Sequence, residues 1–212
     1  MINRIAFFAG KEDVENYFGL STRKENLFDS HYNISPGHYI PVVTKEDDEE
    51  ADIKRVRWGK ESNGKAESEH TAQVESAPEL LKSKSVSRCV IPLSGFFVWK
   101  ESREKEFPFF VRMLNKPFMT VAGLYYSKND SSHVKLLVTE SNALVQPMSP
   151  KMPVMFDKNL ANKWLNQEES AAEIIEETKT LFLLTDLSVL RVSKKVNDPT
   201  NNNPELIQPI PK

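Results

Sequence analysis

A single cysteine, Cys89, occurs among the 212 residues. No internal disulfide can form, which fits a reducing compartment. Long hydrophobic runs are missing as well: no stretch approaches the roughly 20 apolar residues that span a bilayer. The mean hydropathy of -0.47 agrees. Near the start, residues 5–9 are apolar, short of the about 7–15 residues of a secretory h-region. A cytoplasmic protein with no membrane association is therefore expected. There is no surplus of positive charge, since 28 basic residues face 30 acidic ones, a net charge of -2. That excludes a general nucleic-acid coat protein, but it leaves room for a local basic groove. The four histidines, His31, His38, His70 and His133, are scattered. With one cysteine they give no metal-ligand spacing, so no metal is expected. Nucleophile-elbow, Walker A, dinucleotide-binding and zinc-protease motifs are all lacking, and no cofactor is implied.

What is present has the size and composition of a globular chain, with 39% hydrophobic and 27% charged residues. Residues 5–9 read as a buried first strand. Val14, Tyr17 and Phe18 fall at helical spacing within residues 11–20. Asn33, Ser35, Pro36 and Gly37 form turn chemistry in which Gly37 permits positive φ. Residues 39–43 look like a strand, and residues 55–58 alternate as a half-exposed one does. The acidic run Glu46, Asp47, Asp48, Glu49, Glu50 reads as a solvated loop within 45–52. Residues 60–70 lack apolar periodicity and read as a flexible insertion.

Residues 79–82 suit a helical turn. Strands are expected at 89–91 and 96–99, on either side of Pro92 and Gly95. The aromatic stretches 107–113 and 118–126 read as adjacent strands across a turn at 114–117. A strand at 133–139 follows the turn-rich residues 128–131. Asp157 is placed to cap a helix carrying Leu160, Trp164 and Leu165. A second short helix covers 170–178 and a last strand 188–192. From about residue 197 a Pro- and Asn-rich tail follows, extended or partly disordered. Many short strands and few helices imply an α+β fold with a strongly curved, barrel-like, mostly antiparallel sheet, as one domain over 1–212.

Six segments carry a resemblance. Tyr32-Asn33-Ile34-Ser35-Pro36-Gly37 is similar to a YN-x-x-P-G turn, and Arg57-Trp58-Gly59 to an RWG segment. Residues 88–99, RCVIPLSGFFVW, resemble an RCLIPADGFYEW stretch. Leu137-Val138-Thr139-Glu140-Ser141-Asn142 resembles LTTEAN, and Lys151-Met152-Pro153-Val154 resembles RMPV. Val192-Ser193 with Val196-Asn197 resembles a closing VS-x-x-VN. Taken in this order, the segments identify the chain as a member of the SOS-response-associated peptidase (SRAP) family.

The resemblance implies recognition of abasic sites in single-stranded DNA. In the family, a cysteine after the initiator methionine condenses through thiol and α-amine with the ring-opened sugar, giving a thiazolidine. An asparagine, a glutamate and a histidine assist. This sequence departs at each position. Ile2 stands for the cysteine, Thr71 for the asparagine, Val98 for the glutamate and Ser149 for the histidine. An isoleucine has no lone pair to attack with, and a valine exchanges no proton. Implied DNA contacts remain at Arg4, Asn33, Trp58, Gln73, Thr139 and Lys151, with Gln73 and Lys151 each replacing an arginine. Trp58 offers either a stacking face or a core side chain. Asn33 and Thr139 serve either the groove or their own turns.

Three readings follow. The first is an abasic-site sensor that binds single-stranded or abasic DNA without cross-linking or self-processing. The second is a protein-interaction scaffold on the same fold. The third is a residual lyase or hydrolase using the Met1 amine, which a bulky Ile2 keeps in place, or Ser149. The oligomeric state has no sequence signal.

Overall fold

The computed structural model describes residues 2–45, 50–62, 65–66, 69–102, 105–128, 131–178 and 186–210. Met1, most of the acidic run (46–49) and the centre of the turn at 128–131 lie outside the described residues. The chain runs β1 (Ile5–Phe7), α1 (Lys11–Phe18), β2 (His31–Ile34), β3 (Tyr39–Thr44), β4 (Asp52–Trp58), β5 (Glu61–Ser62), β6 (Lys65–Ala66), β7 (Thr71–Gln73) and α2 (Ala77–Leu80). It continues with β8 (Val86–Leu93), β9 (Gly95–Ser102), β10 (Lys105–Met113), β11 (Met119–Lys128), β12 (Ser131–Glu140), β13 (Lys151–Pro153), β14 (Met155–Phe156), α3 (Lys158–Leu165), α4 (Ala171–Thr178) and β15 (Leu187–Arg191).

Following the pairing partners closes a barrel. β12 pairs with β4, β4 with β3, β3 with β8, β8 with β11, and β11 returns to β12. Only the β4–β12 step of this ring is parallel. The closed ring satisfies strand edges that would otherwise be exposed. A second sheet, ordered β15-β10-β9-β1-β2, is antiparallel throughout. The α+β, barrel-like, mostly antiparallel architecture is thus present.

The second sheet explains the uninterrupted apolar runs near Ile5 and Phe96. Ile5, Phe7, Phe96, Val98 and Val111 face the main core, while Ala6, Phe97 and Phe110 face a second cluster with Val192, Val196, Leu206 and Ile207. Side chains alternate between faces, so a sheet covered on both sides needs consecutive apolar residues. The cover on the outer face is the C-terminal tail. That corrects the reading of an extended or partly disordered segment: two short turns, residues 194–197 and 204–207, bury Val196, Leu206 and Ile207. Burying a Leu or Ile side chain contributes about 1.5–3 kcal/mol, enough to order a segment whose composition reads as polar.

Two further expectations change. The stretches 107–113 and 118–126 are strands, but not neighbours: β10 pairs with β9 and β15, whereas β11 pairs with β8, β12 and β14. Pro92 does not interrupt β8, which runs through it to Leu93. Asp157 caps α3 as its position implies, its Oδ1 accepting from the Leu160 amide at 2.8 Å.

Candidate functional site

The start of the chain is held from two sides. On one side it extends the second sheet: the Phe97 amide donates to the Arg4 carbonyl at 3.0 Å, and the β1–β9 register Ile5↔Phe96 carries Asn3 toward Val98. On the other side His70 Nε2 donates to the Ile2 carbonyl at 2.8 Å. His70 therefore belongs to the buried structure, 5% exposed, and not to a flexible insertion. The Trp58 indole donates to the His70 carbonyl at 2.9 Å and meets the imidazole edge-on. Gly59, at φ 86°, lets the chain turn after β4. A Cβ there would stand 2.9 Å from the His70 Cβ, so the close approach requires glycine.

Beside this start lies a cavity of about 760 Å³. It is lined by Asn3, Arg4, Val98, Trp99, Glu106 and the segment 146–150, with Asn197 from the tail. Arg4, Val98 and Ser149, singled out separately from the sequence, thus share one wall-and-floor arrangement. Burial lowers the Arg4 pKa from its ordinary value, yet a guanidinium stays charged at neutral pH. The Ser149 hydroxyl donates to the Lys151 carbonyl at 2.7 Å and accepts from the Lys151 amide at 3.3 Å. It acts there as a turn fastener. Trp99 and Asn197 belong to the family-like segments 88–99 and 192–197, whereas Asn3, Glu106 and Gln146 have no local pattern to mark them and join the cavity only through tertiary structure. The Trp99 indole reaches Asn197 Oδ1 at 2.9 Å.

The remaining positions disperse. Ile2 is fully buried in the core, adjacent in sequence to the cavity-lining Asn3. Trp58 is also fully buried and packs in the main core cluster. Asn33 is fully buried, its Nδ2 donating to the carbonyls of Val196 (3.2 Å), Asp198 (2.9 Å) and Asn201 (3.1 Å). It ties the tail down. Thr71 opens β7, which pairs in parallel with β12 at Leu136, and Gln73 at its end is exposed. Thr139 lines a different, smaller cavity of about 260 Å³ with Asn142 and Met152. Lys151 stands opposite Glu140 on the β12–β13 ladder.

Cys89 is fully buried on β8, and burial pushes its thiol pKa strongly upward. It is a core side chain. No three His, Cys, Asp or Glu groups converge as metal ligands among the described residues. No helix of the described residues is long and apolar enough to cross a membrane.

A five-strand barrel with a second sheet on its flank, and a polar cavity walled by the start of the chain, defines a mostly antiparallel α+β class. The chain belongs to the SOS response associated peptidase (SRAP) family, whose sequence profile matches residues 1–199. It is similar to the abasic site processing protein YoqW of Bacillus subtilis, 25% identical over 228 residues covering 98% of this chain and 99% of the relative. It is also 28% identical to the abasic site processing protein YedK of Escherichia coli over 189 residues, 84% of each chain. Among solved structures, a protein from Bacteroides thetaiotaomicron superposes with a TM-score of 0.81 at 19% identity, covering 98% of this chain and 99% of that one. A phage-related protein from Bordetella bronchiseptica gives 0.72 at 18% identity, covering 91% and 94%. These structural likenesses concern the fold.

Proposed function

We propose that this SRAP-family chain binds single-stranded DNA, abasic sites included, and retains it non-covalently, without the cross-linking or self-processing that the family resemblance implies. One observation carries the reading: Arg4 and Ser149 line a polar cavity at the start of the chain, while Ile2 and Val98 put hydrocarbon where sulfur and carboxylate are implied. A cavity of this kind can still take a sugar-phosphate unit. Arg4 supplies a fixed positive charge, and Asn3 and Gln146 supply amide donors and acceptors. Gln73 is exposed and Lys151 half-buried, and both add polar or cationic contact to a strand that extends beyond the cavity. Thr71 and Thr139 add hydroxyls. With neither a thiol nor a carboxylate at those two positions, binding stops short of covalent capture. A fluorescence titration with single-stranded oligonucleotides tests the reading: binding that weakens as salt rises supports it, and no binding even at low salt contradicts it.

A further inference from the structure

Phe107, near the start of β10, is met by two cations at once. The Arg191 guanidinium carbon lies 4.6 Å from its ring centre and the Lys194 ammonium 5.2 Å. Both cations are exposed, and neither forms a salt bridge among the described residues. Lys135 and Lys163, by contrast, each face a carboxylate, Glu69 and Glu177. An aromatic ring attracts cations through its quadrupole and carries no net charge. Phe107 therefore restrains two long side chains and leaves both charges uncancelled. Strand register adds a third cation. Paired residues on antiparallel strands share a face, and so do residues two apart on one strand. Val98, Phe109 and Arg191 thus form one cross-strand row, and Lys100 and Phe107 stand in the next. Lys100 is exposed and also without a salt bridge among the described residues.

This patch adjoins the Arg4 cavity at three points of the chain. Val98 lines the cavity, and Lys100 follows about 7 Å further along β9 on the same face. Glu106 lines it, and Phe107 is the next residue. Asn197 lines it, and Lys194 opens the same short turn, residues 194–197. Glu106 forms no salt bridge with these three cations among the described residues. We infer that Lys100, Arg191 and Lys194 form a phosphate-binding platform for the backbone of a single strand whose neighbouring nucleotide occupies the Arg4 cavity. The inference rests on the proposed DNA reading and adds to it the direction in which the strand leaves the cavity. The Arg191 fork suits two oxygens of one phosphate, and the lysines act as point charges. A nucleic-acid backbone repeats the same anion, so one ligand serves cavity and platform together. An acidic peptide would satisfy the cations alone.

The three side chains are exposed, so neutral replacements leave the core intact. The test is fluorescence anisotropy across a salt series with a labelled oligothymidylate of about 12 nucleotides. Wild type is compared with a double variant, Arg191→Gln with Lys194→Gln. A second double variant, Lys82→Gln with Lys163→Gln, removes the same charge from ammonium groups already paired with Glu79 and Glu177. Each phosphate contact on a single strand contributes about 0.7 to the log–log salt slope. The platform variant is expected to lose about 1.4 in slope and to bind about tenfold more weakly at about 0.15 M salt. The control variant is expected to keep the wild-type slope. A platform variant that matches wild type, or a control that loses as much, overturns the platform and leaves the DNA reading standing. Displacement of the strand by polyglutamate as readily as by unlabelled oligothymidylate also overturns it, in favour of an acidic protein partner. A wild-type protein that binds no oligonucleotide even at low salt overturns both.

Discussion

His70 Nε2 lies 2.8 Å from the main-chain oxygen of Ile2. A carbonyl only accepts, so this ring carries its proton on Nε2. The contact joins the end of the segment after β6 to the first described residue, and so fixes where Asn3 and Arg4 enter the cavity. His70→Ala leaves the Ile2 carbonyl unpaired in a buried setting, a loss of about 1–3 kcal/mol. A lower urea midpoint with unchanged slope is expected. An unaltered midpoint shows that the contact contributes nothing.

Asn33 makes the corresponding connection for the tail, with one amide nitrogen reaching three carbonyls. Asn33→Ala removes the donor from all of them at once. A destabilisation of about 2–3 kcal/mol is expected, together with faster hydrogen exchange or proteolysis across residues 198–210. Asn33→Asp removes the donor while keeping the shape, and is expected to destabilise as well. A tail that stays protected in both variants contradicts the clamp.

The Cys89 thiol is fully buried and its pKa is driven upward by that burial. A thiol-specific chromogenic reagent is expected to leave the native protein unmodified and to titrate one thiol after unfolding. Rapid reaction in the native state would place the sulfur at an accessible surface instead.

His31 and His38 lie with ring centroids 5.2 Å apart. Burial first, then neighbouring cations, depress both pKa values: His38 and Arg55 act on His31, and Arg4 and Arg57 on His38. Each Nδ1 also accepts a main-chain amide, from Asn33 at 3.2 Å and from Ser35 at 3.4 Å. The sign follows directly. The unfolded chain takes up protons near pH 6.5 and the folded chain only at lower pH, so stability is full above about 6.5 and falls as pH drops through the folded values. Denaturant midpoints compared at pH 7.5 and pH 5 are expected to show the fall, and a His31→Gln, His38→Gln variant to reduce it. Equal slopes for both proteins would remove these two histidines as the cause.

Much of the architecture is legible in the sequence because period and turn chemistry are local. Gly37 takes φ 96°, as its place after Pro36 implies. Asp157 caps α3, and most strands fall where apolar runs occur. What is not legible depends on partners far along the chain. Phe107–Met113 and Phe118–Tyr126 are alike in composition, but they enter different sheets because register with β9 and β8, not the intervening turn, decides pairing. The tail looks polar, yet it covers the outer face of β1, β9 and β10, and only the double-sided apolar runs at Ile5 and Phe96 hint that a cover exists. The candidate site divides the same way. Arg4, Val98 and Ser149 are marked by the family resemblance and meet in the cavity. His70, lone among polar neighbours, and Glu106 have no pattern to mark them until the fold brings them in.

The most direct measurement incubates the full chain with a single-stranded oligonucleotide carrying one abasic site and follows it two ways, by native gel and by intact mass under denaturing conditions. A shifted native band with only unmodified protein mass is the predicted result. A stable protein–DNA adduct in the denatured sample would contradict it.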